Sequence, residues 1–236
     1  MSALFLIRHG QAGTRDNYDR LSDLGHEQAR RLGAYLAEQR IPFARMISGA
    51  LKRQQETAAN VVEELRRAGA PCPGLTIDPA WNEFDLDDVY LQVAPQIAAV
   101  DENFRLGYEA LLRSIVSPED AIHRKHSSLD IAVVMAWIGG RFPYGGESFQ
   151  TFAARIHWAL SGLKDEEGPV AVFTSATPTG LAVAAALELP VEQSMKLAGV
   201  TYNAGFSTLR IQQQGFTLFS FNNTPHLTDA RLRTFR

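Results

Sequence analysis

The chain has 236 residues, of which 45% are hydrophobic and 21% are charged, and its formal net charge is −3. This length and apolar content are enough for a sizeable core, arranged as one large domain or two small ones. Neither half of the chain is strongly basic, which argues against a nucleic-acid partner bound through its phosphate backbone. A local basic site for a small anion is compatible with this net charge.

The cysteine content and the short apolar runs indicate the compartment. The one cysteine, Cys72, cannot form an internal disulfide, which is typical of proteins in a reducing environment. The apolar run at 3–7 is too short for a signal peptide, and no stretch of the sequence approaches the length of a membrane-spanning helix. We therefore expect a cytoplasmic protein without a membrane partner.

The first part of the chain alternates short apolar runs with helical patterns. Residues 3–8 predict a strand buried on both faces, which delivers a loop at its carboxyl end. Ser22 can cap a helix that extends to about residue 39. A short apolar segment at 43–48, a helix over 51–68 and a strand at 75–77 follow.

The middle and the end of the chain differ in pattern. Residues 86–145 predict a helical insertion lying over the sheet, in which 131–135 is either strand or helix. A helix over 147–163, a buried strand over 169–174, a loop at 175–179 and a helix over 180–189 come next. Two β-rich segments around Gln-Gln-Gln-Gly near the end predict a hairpin.

These elements predict an α/β fold, a three-layer sandwich with a mostly parallel central sheet and a helical insertion. The terminal hairpin would add an antiparallel edge, which either pairs in a homodimer or is buried within the monomer. We expect a single domain over residues 1–236. The tail from residue 222 has no clear pattern, and His226 is interpreted as a tail or surface residue.

Arg8, His9 and Gly10 leave the first strand at the sheet edge where ligands bind in open α/β folds. Arginine has a planar fork that matches phosphate oxygens, and neutral histidine is a nucleophile at neutral pH. Glycine lets the backbone approach a ligand closely. Arg53, in the first turns of a later helix, could point back over the same edge.

Four blocks of the sequence resemble the histidine phosphatase superfamily, the phosphoglycerate mutase-like proteins. They are LIRHGQA at 6–12, DRLSDLGHEQA at 19–29, SGALKRQQETA at 48–58 and GGES at 145–148. The resemblance implies a phosphohistidine mechanism in which His9 attacks phosphorus while Arg8 and Arg53 neutralise charge on the phosphoryl oxygens. It implies no metal and no cofactor, and a small phosphorylated molecule as the binding partner.

The resemblance also implies an acidic proton donor after the third strand. Glu83 matches this position best, with Asp85, Asp87 and Asp88 as neighbouring alternatives. A carboxyl group there could protonate the leaving oxygen and then activate water. Asn17 is a further candidate for phosphate contact, although a role in a turn explains it equally well.

The sequence departs from the family at one position. Family members carry a second histidine after a later strand, and Ser175 stands at the matching point of the stretch 170–178. Three interpretations of the serine at this position stay open. The protein is a slow phosphatase that uses Ser175 with the Thr174 and Thr177 hydroxyls, or a phosphate-ester binder with little turnover, or a chain altered by engineering at this position.

The sequence therefore predicts hydrolysis of phosphomonoesters, with Arg8, His9, Arg53, Glu83 and Ser175 at the pocket. Phosphoglycerate mutase-type phosphoryl transfer is the alternative reaction, ranked lower because Gln11 stands where other branches have an acidic residue. A catalytically weak binding protein for phosphate esters is the alternative outside enzymes.

Overall fold

The computed structural model describes residues 2–13, 19–114 and 128–235. Within these ranges the chain forms two compact units. The first, called the sheet unit here, contains residues 2–13, 19–83 and 155–235, and the second, the helical unit, contains residues 84–114 and 128–154. Asn17 lies outside the described residues.

A six-stranded sheet forms the centre of the sheet unit. The strands are β1 (Ala3–Arg8), β2 (Arg45–Ser48), β3 (Leu75–Ile77), β4 (Val170–Thr174), β5 (Phe206–Gln212) and β6 (Gly215–Asn223). Their order is β3-β2-β4-β1-β5-β6, with β3, β2, β4 and β1 parallel to one another. β5 is antiparallel to both β1 and β6. The α/β class, the mostly parallel sheet and the antiparallel terminal hairpin are thus confirmed.

The helices follow the predicted alternation closely. They are α1 (Asp23–Glu38), α2 (Lys52–Arg67), α3 (Leu86–Val100), α4 (Glu102–Ser114), α5 (Ser128–Ile138), α6 (Phe149–Ser161), α7 (Ala176–Ala186) and α8 (Ser194–Ala198). Ser22 caps α1 as expected, since its side chain accepts a hydrogen bond from the Gly25 N–H. The ambiguous segment 131–135 is helical and lies within α5.

The two faces of the sheet are both covered. Side chains alternate across a strand, so Ile7 and Phe173 share one face, where they pack with Leu32 of α1 and Leu65 of α2. The other face carries the fully buried side chains of Leu4, Leu6 and Val172, and α7 packs against β1, β5 and β6. Burial on both faces explains why β1 and β4 are almost continuously apolar.

α7 begins earlier than predicted. The sequence suggested a loop over 175–179, but the helix already starts at Ala176. Pro178 is compatible with this start because a proline in the first turn lacks only an N–H that has no partner within the helix. The loop prediction is therefore wrong from Ala176 onward, and Ser175 becomes the residue that precedes the helix.

The helical unit has a small aromatic core of its own. Phe84 stacks on Trp137 with ring centroids 4.5 Å apart, and Phe149 and Phe152 contact the same indole ring. The indole N–H of Trp137 donates to the Glu147 carbonyl at 3.1 Å, which satisfies its polar atom. An inserted helical region is thus confirmed. No helix within the described ranges is long and apolar enough to cross a membrane.

Candidate active site

The carboxyl ends of β1 and β4 bring two candidate residues side by side. The parallel register pairs Arg8 with Thr174, so the residues that follow, His9 and Ser175, leave adjacent strands at the same edge. The His9 N–H donates to the Thr174 carbonyl at 2.9 Å, and the His9 carbonyl accepts from the Ala204 N–H at 3.1 Å. The backbone of His9 is therefore held from both sides.

The His9 ring has one defined tautomer. Nδ1 lies 2.7 Å from the Gly10 carbonyl oxygen, which can only accept, so Nδ1 carries the proton. Nε2 keeps its lone pair and accepts from Arg53 Nε at 3.3 Å. Burial holds the pKa of His9 well below its usual value, and the positive charges of Arg53 and Arg8 lower it further. His9 is therefore a buried, neutral imidazole with an oriented Nε2.

Arg53 lies in the first turn of α2 and is 8% exposed. Its Nη1 donates to Asp19 Oδ1 at 3.0 Å, while Asp19 Oδ2 accepts from the Lys52 N–H at 3.2 Å. Asp19 thus fixes the guanidinium and also places a negative charge at the amino end of α2, where it is favourable. One helical turn later, Thr57 accepts from the Gly10 N–H at 3.0 Å, which joins α2 to the loop after His9.

The C-terminal tail holds Arg8. Its Nη2 donates to the Phe235 carbonyl at 2.9 Å, and its Nη1 donates to the Thr201 carbonyl. The tail is fixed in turn by the Asn203 N–H, which donates to the Thr234 carbonyl at 2.8 Å. The buried Gln28 side chain donates to the Thr234 hydroxyl at 3.0 Å. The guanidinium of Arg8 is therefore oriented by backbone carbonyls from the last part of the chain.

Glu83 and Ser175 meet at the start of α7. The Glu83 carboxylate accepts from the Thr177 N–H at 3.0 Å, an arrangement in which an anion satisfies a helix N-terminus. Ser175 is 1% exposed, and its oxygen accepts from the side-chain amide of Gln54 at 2.8 Å. The Thr174 hydroxyl, a further candidate, instead donates to the Trp81 carbonyl at 2.6 Å.

Two glycines allow the loop after His9 to lie against α1. A Cβ on Gly10 would come within 2.4 Å of the Gly25 carbonyl oxygen, and a Cβ on Gly25 within 2.1 Å of the Gln11 carbonyl oxygen. The two backbones therefore touch directly, at a separation that only glycine permits. This close approach explains why glycine follows His9 and why glycine stands at position 25 in the first turn of α1.

Of the predicted site residues, the structure brings His9 to Arg53 by a direct hydrogen bond, and Glu83 to the helix that Ser175 precedes. Arg8 lies near enough to influence the charge of His9. Sequence reasoning missed Gln54, although its spacing with Ala58, Val61 and Leu65 places it on the buried face of α2. Within the described ranges, no group of three or more His, Cys, Asp or Glu side chains is arranged to hold a metal ion.

The family is established by comparison with known proteins. The family model that describes the histidine phosphatase superfamily (branch 1) matches residues 4–111 and 117–224 of this chain. The match covers most of the chain, so the chain belongs to the histidine phosphatase superfamily. That superfamily carries out phosphatase- or mutase-type phosphoryl transfer.

Curated relatives include both kinds of enzyme. A 2,3-bisphosphoglycerate-dependent phosphoglycerate mutase from Azorhizobium caulinodans is 30% identical over 162 residues, which are 65% of this chain and 64% of the mutase. A broad-specificity phosphatase from Saccharomyces cerevisiae is 35% identical over 77 residues, which are 29% of this chain and 33% of the phosphatase. The aligned region thus spans just under two thirds of the mutase and a third of the yeast phosphatase.

Solved structures share the fold. A phosphoserine phosphatase variant from Entamoeba histolytica, in complex with phosphoserine, superposes with a TM-score of 0.62 at 17% identity, covering 96% of this chain and 100% of the other. A mycobacterial glucosyl-3-phosphoglycerate phosphatase in complex with inorganic phosphate gives a TM-score of 0.60 at 21% identity, covering 96% and 99%. At these identities the likeness establishes the architecture alone.

Proposed function

We propose that this chain hydrolyses phosphomonoesters in two steps, through a phosphoryl group held transiently on His9. The observation that carries the proposal is the tautomer of His9. Nδ1 donates to the Gly10 carbonyl at 2.7 Å, which leaves the lone pair on Nε2, in a buried position beside Arg53. A neutral imidazole held in one orientation is suited to nucleophilic attack on phosphorus.

In the first step the Nε2 lone pair of His9 forms a bond to phosphorus while the ester P–O bond breaks. The leaving oxygen takes a proton from Glu83, which enters this step as the carboxylic acid while one of its oxygens still accepts from the Thr177 N–H. In the second step a water attacks phosphorus and gives a proton to the Glu83 carboxylate. The N–P bond breaks, its electron pair returns to Nε2, and inorganic phosphate leaves.

The phosphoryl oxygens would be bound by Arg8, Arg53 and Ser175, with Asn17 as a further contact. The hydrogen bond from Arg53 to His9 is long, at 3.3 Å, and a phosphoryl oxygen would replace Nε2 as its acceptor. In this proposal Ser175 takes the position of the second family histidine and offers a neutral donor. The loss of one preorganised charged donor costs about a hundredfold to a thousandfold in rate, so the enzyme would be slow.

The test is phosphate release from a broad panel of phosphomonoesters by the unaltered chain and by His9→Ala. His157→Ala, a histidine on α6, is the matched control. Turnover that persists in the control and disappears in His9→Ala supports the proposal, as does an acid-labile, alkali-stable phosphoenzyme. Turnover that survives in His9→Ala would contradict it.

Mutase-type transfer is the second candidate, supported by the 30% identity to the phosphoglycerate mutase. Isomerisation of 3-phosphoglycerate primed by a bisphosphate separates the two reactions. Rapid isomerisation with little phosphate release would replace hydrolysis by mutase activity. Binding of phosphate or of an ester without either reaction would instead identify a binding protein.

A further inference from the structure

The buried side chain of Gln54 makes specific hydrogen bonds that packing alone does not require. Its side chain is completely buried, and its amide nitrogen lies 3.2 Å from the Trp81 carbonyl oxygen and 2.8 Å from the Ser175 hydroxyl oxygen. A carbonyl oxygen only accepts, so the atom that faces Trp81 is the NH2 group. The second hydrogen of the same nitrogen is then donated to Ser175.

The side chain of Ser175 does not cap α7. It stands at the N-cap position of α7, where a serine oxygen normally accepts from one of the first backbone N–H groups. Within the described part of the chain its side chain makes no such bond, because the Glu83 carboxylate takes the Thr177 N–H at 3.0 Å. The Ser175 oxygen accepts from Gln54 instead, which leaves the hydroxyl hydrogen to be donated in another direction.

We propose that Gln54 is a positioning residue, which turns the hydroxyl hydrogen of Ser175 toward the phosphoryl group carried by His9. This inference rests on the proposed function and adds how a neutral serine serves in that site. Ser175 and His9 leave paired strands beside each other, because the register joins Arg8 to Thr174. A hydroxyl that already accepts a hydrogen bond is also polarised to donate a stronger one.

Gln54 has two further contacts that must be separated from this role. Its amide nitrogen also binds the loop that carries Glu83, and its Oε1 accepts from the Leu51 N–H at 3.3 Å at the start of α2. Thr174 offers the matched control. Its hydroxyl donates to the same Trp81 carbonyl at 2.6 Å, and its side chain is completely buried. Thr174→Val removes a hydrogen bond to that loop at nearly constant volume and leaves the contact between Gln54 and Ser175 in place.

The experiment is a double-mutant cycle in kcat and KM with Gln54→Met, Ser175→Ala and the double variant. We expect Gln54→Met to lower kcat about tenfold when Ser175 is present and less than about twofold in the Ser175→Ala background. Thr174→Val should change kcat by the same factor in both backgrounds. An equal loss from Gln54→Met in both backgrounds would overturn the inference.

Gln54→Glu is a second, nearly isosteric variant that reverses the hydrogen bond. The introduced carboxyl group has at most one hydrogen, so it cannot donate to both the Trp81 carbonyl and Ser175. One of its oxygens then accepts the Ser175 hydrogen and withdraws it from the phosphoryl group, so kcat should fall further than in Gln54→Met. The melting temperature should fall as well, because a completely buried acid is less well satisfied than the amide. A Gln54→Glu variant at least as active as Gln54→Met would count against the inference.

The same cycle is measured on the affinity for inorganic phosphate by calorimetry, which does not depend on turnover. Coupling between Gln54 and Ser175 in phosphate affinity, without turnover in the unaltered chain, would support the positioning role and contradict hydrolysis. Turnover that requires His9 but shows additive effects of Gln54→Met and Ser175→Ala would support hydrolysis and contradict the positioning role. The two failures are thus distinguishable.

Discussion

The Nε–H of Arg53 points at the lone pair of His9 Nε2, with 3.3 Å between the two nitrogens. One contact therefore has two effects. The positive charge of Arg53 helps to keep the imidazole neutral, and the guanidinium lies where a phosphoryl oxygen would meet it in the proposed reaction. Because Asp19 binds the same guanidinium at 3.0 Å, its orientation does not depend on a ligand.

We expect Arg53→Lys to lower kcat/KM by about a hundredfold or more, because an ammonium group lacks the planar fork that orients phosphoryl oxygens. Steady-state kinetics on the best substrate of the panel measures this loss. Arg66→Lys, an exposed arginine in the last turn of the same helix, is the control and should leave kcat/KM near that of the unaltered chain. Equal values for Arg53→Lys and Arg66→Lys would remove Arg53 from the site.

The protonation of His9 can be tested directly. Its pKa is held well below 6.5 by burial and by the charges of Arg53 and Arg8. We therefore expect the His9 ring signal to stay at its neutral position as the pH falls from 7.5 through 6.5 in an NMR titration. The signal is assigned by its loss in His9→Ala. A midpoint near 6.5 for that signal would contradict a buried neutral nucleophile.

His226 should make stability depend on pH. It is 7% exposed, and burial lowers its pKa to about 4, with a smaller lowering effect from the Arg31 charge. Because the folded-state pKa lies below the unfolded value of 6.5, the unfolded chain binds the proton more readily. Above about pH 6.5 His226 is neutral in both states, and its titration costs no stability. As the pH falls toward 4 the free energy of unfolding decreases, by at most about 3 kcal/mol.

Urea unfolding at several pH values between 7.5 and 4.5 measures this loss. His226→Phe should flatten the dependence of the unfolding free energy on pH over this interval. His9→Ala is a useful comparison, because the pKa of His9 is lowered in the same direction and its removal should also reduce the slope. If His226→Phe keeps the full slope, protonation of His226 is not its origin.

The tail should affect substrate binding through Arg8. Deletion of residues 235–236 removes the Phe235 carbonyl, which accepts from Arg8 Nη2 at 2.9 Å, and keeps Thr234, which fixes the tail to Asn203 and Gln28. We expect KM and the phosphate dissociation constant to rise about tenfold, the typical weight of a hydrogen bond to a charged group. Phe235→Ala keeps the carbonyl and removes the ring that packs 4.2 Å from Tyr202, so its effect should be smaller. An equal rise in both variants would assign the effect to the ring.

The contact between the loop after His9 and α1 should not tolerate a methyl group. Gly25→Ala would place a Cβ 2.1 Å from the Gln11 carbonyl oxygen, and we expect it to destabilise the fold by about 1–3 kcal/mol. Gly74→Ala is the control, since no described atom lies within 4 Å of the added Cβ. Chemical denaturation compares the two. A Gly25→Ala variant as stable as Gly74→Ala would show that the backbones move apart at little cost.

The local pattern of apolar residues was sufficient to predict the strand that precedes His9, the helix that carries Arg53, and the terminal hairpin. These predictions depend on apolar periodicity and on residues close in sequence. Pairings between distant segments were not predictable in this way. The hydrogen bond from the Thr177 N–H to Glu83 joins positions 94 residues apart, and that from Arg8 to the Phe235 carbonyl joins positions 227 apart. His226, interpreted as a surface residue, is buried because its tail segment packs on Tyr35 and Phe206.

The position of β1 in the sheet has a consequence for synthesis on the ribosome. β1 is made first, yet both of its neighbours, β4 and β5, lie more than 160 residues later in the chain. Until residue 206 has emerged, the strand that precedes His9 has at most one partner, and it exposes unpaired backbone groups and apolar side chains to other chains. Sheets built from such distant segments close slowly. We therefore expect nascent chains of this protein to be prone to aggregation until β4 and β5 have paired with β1.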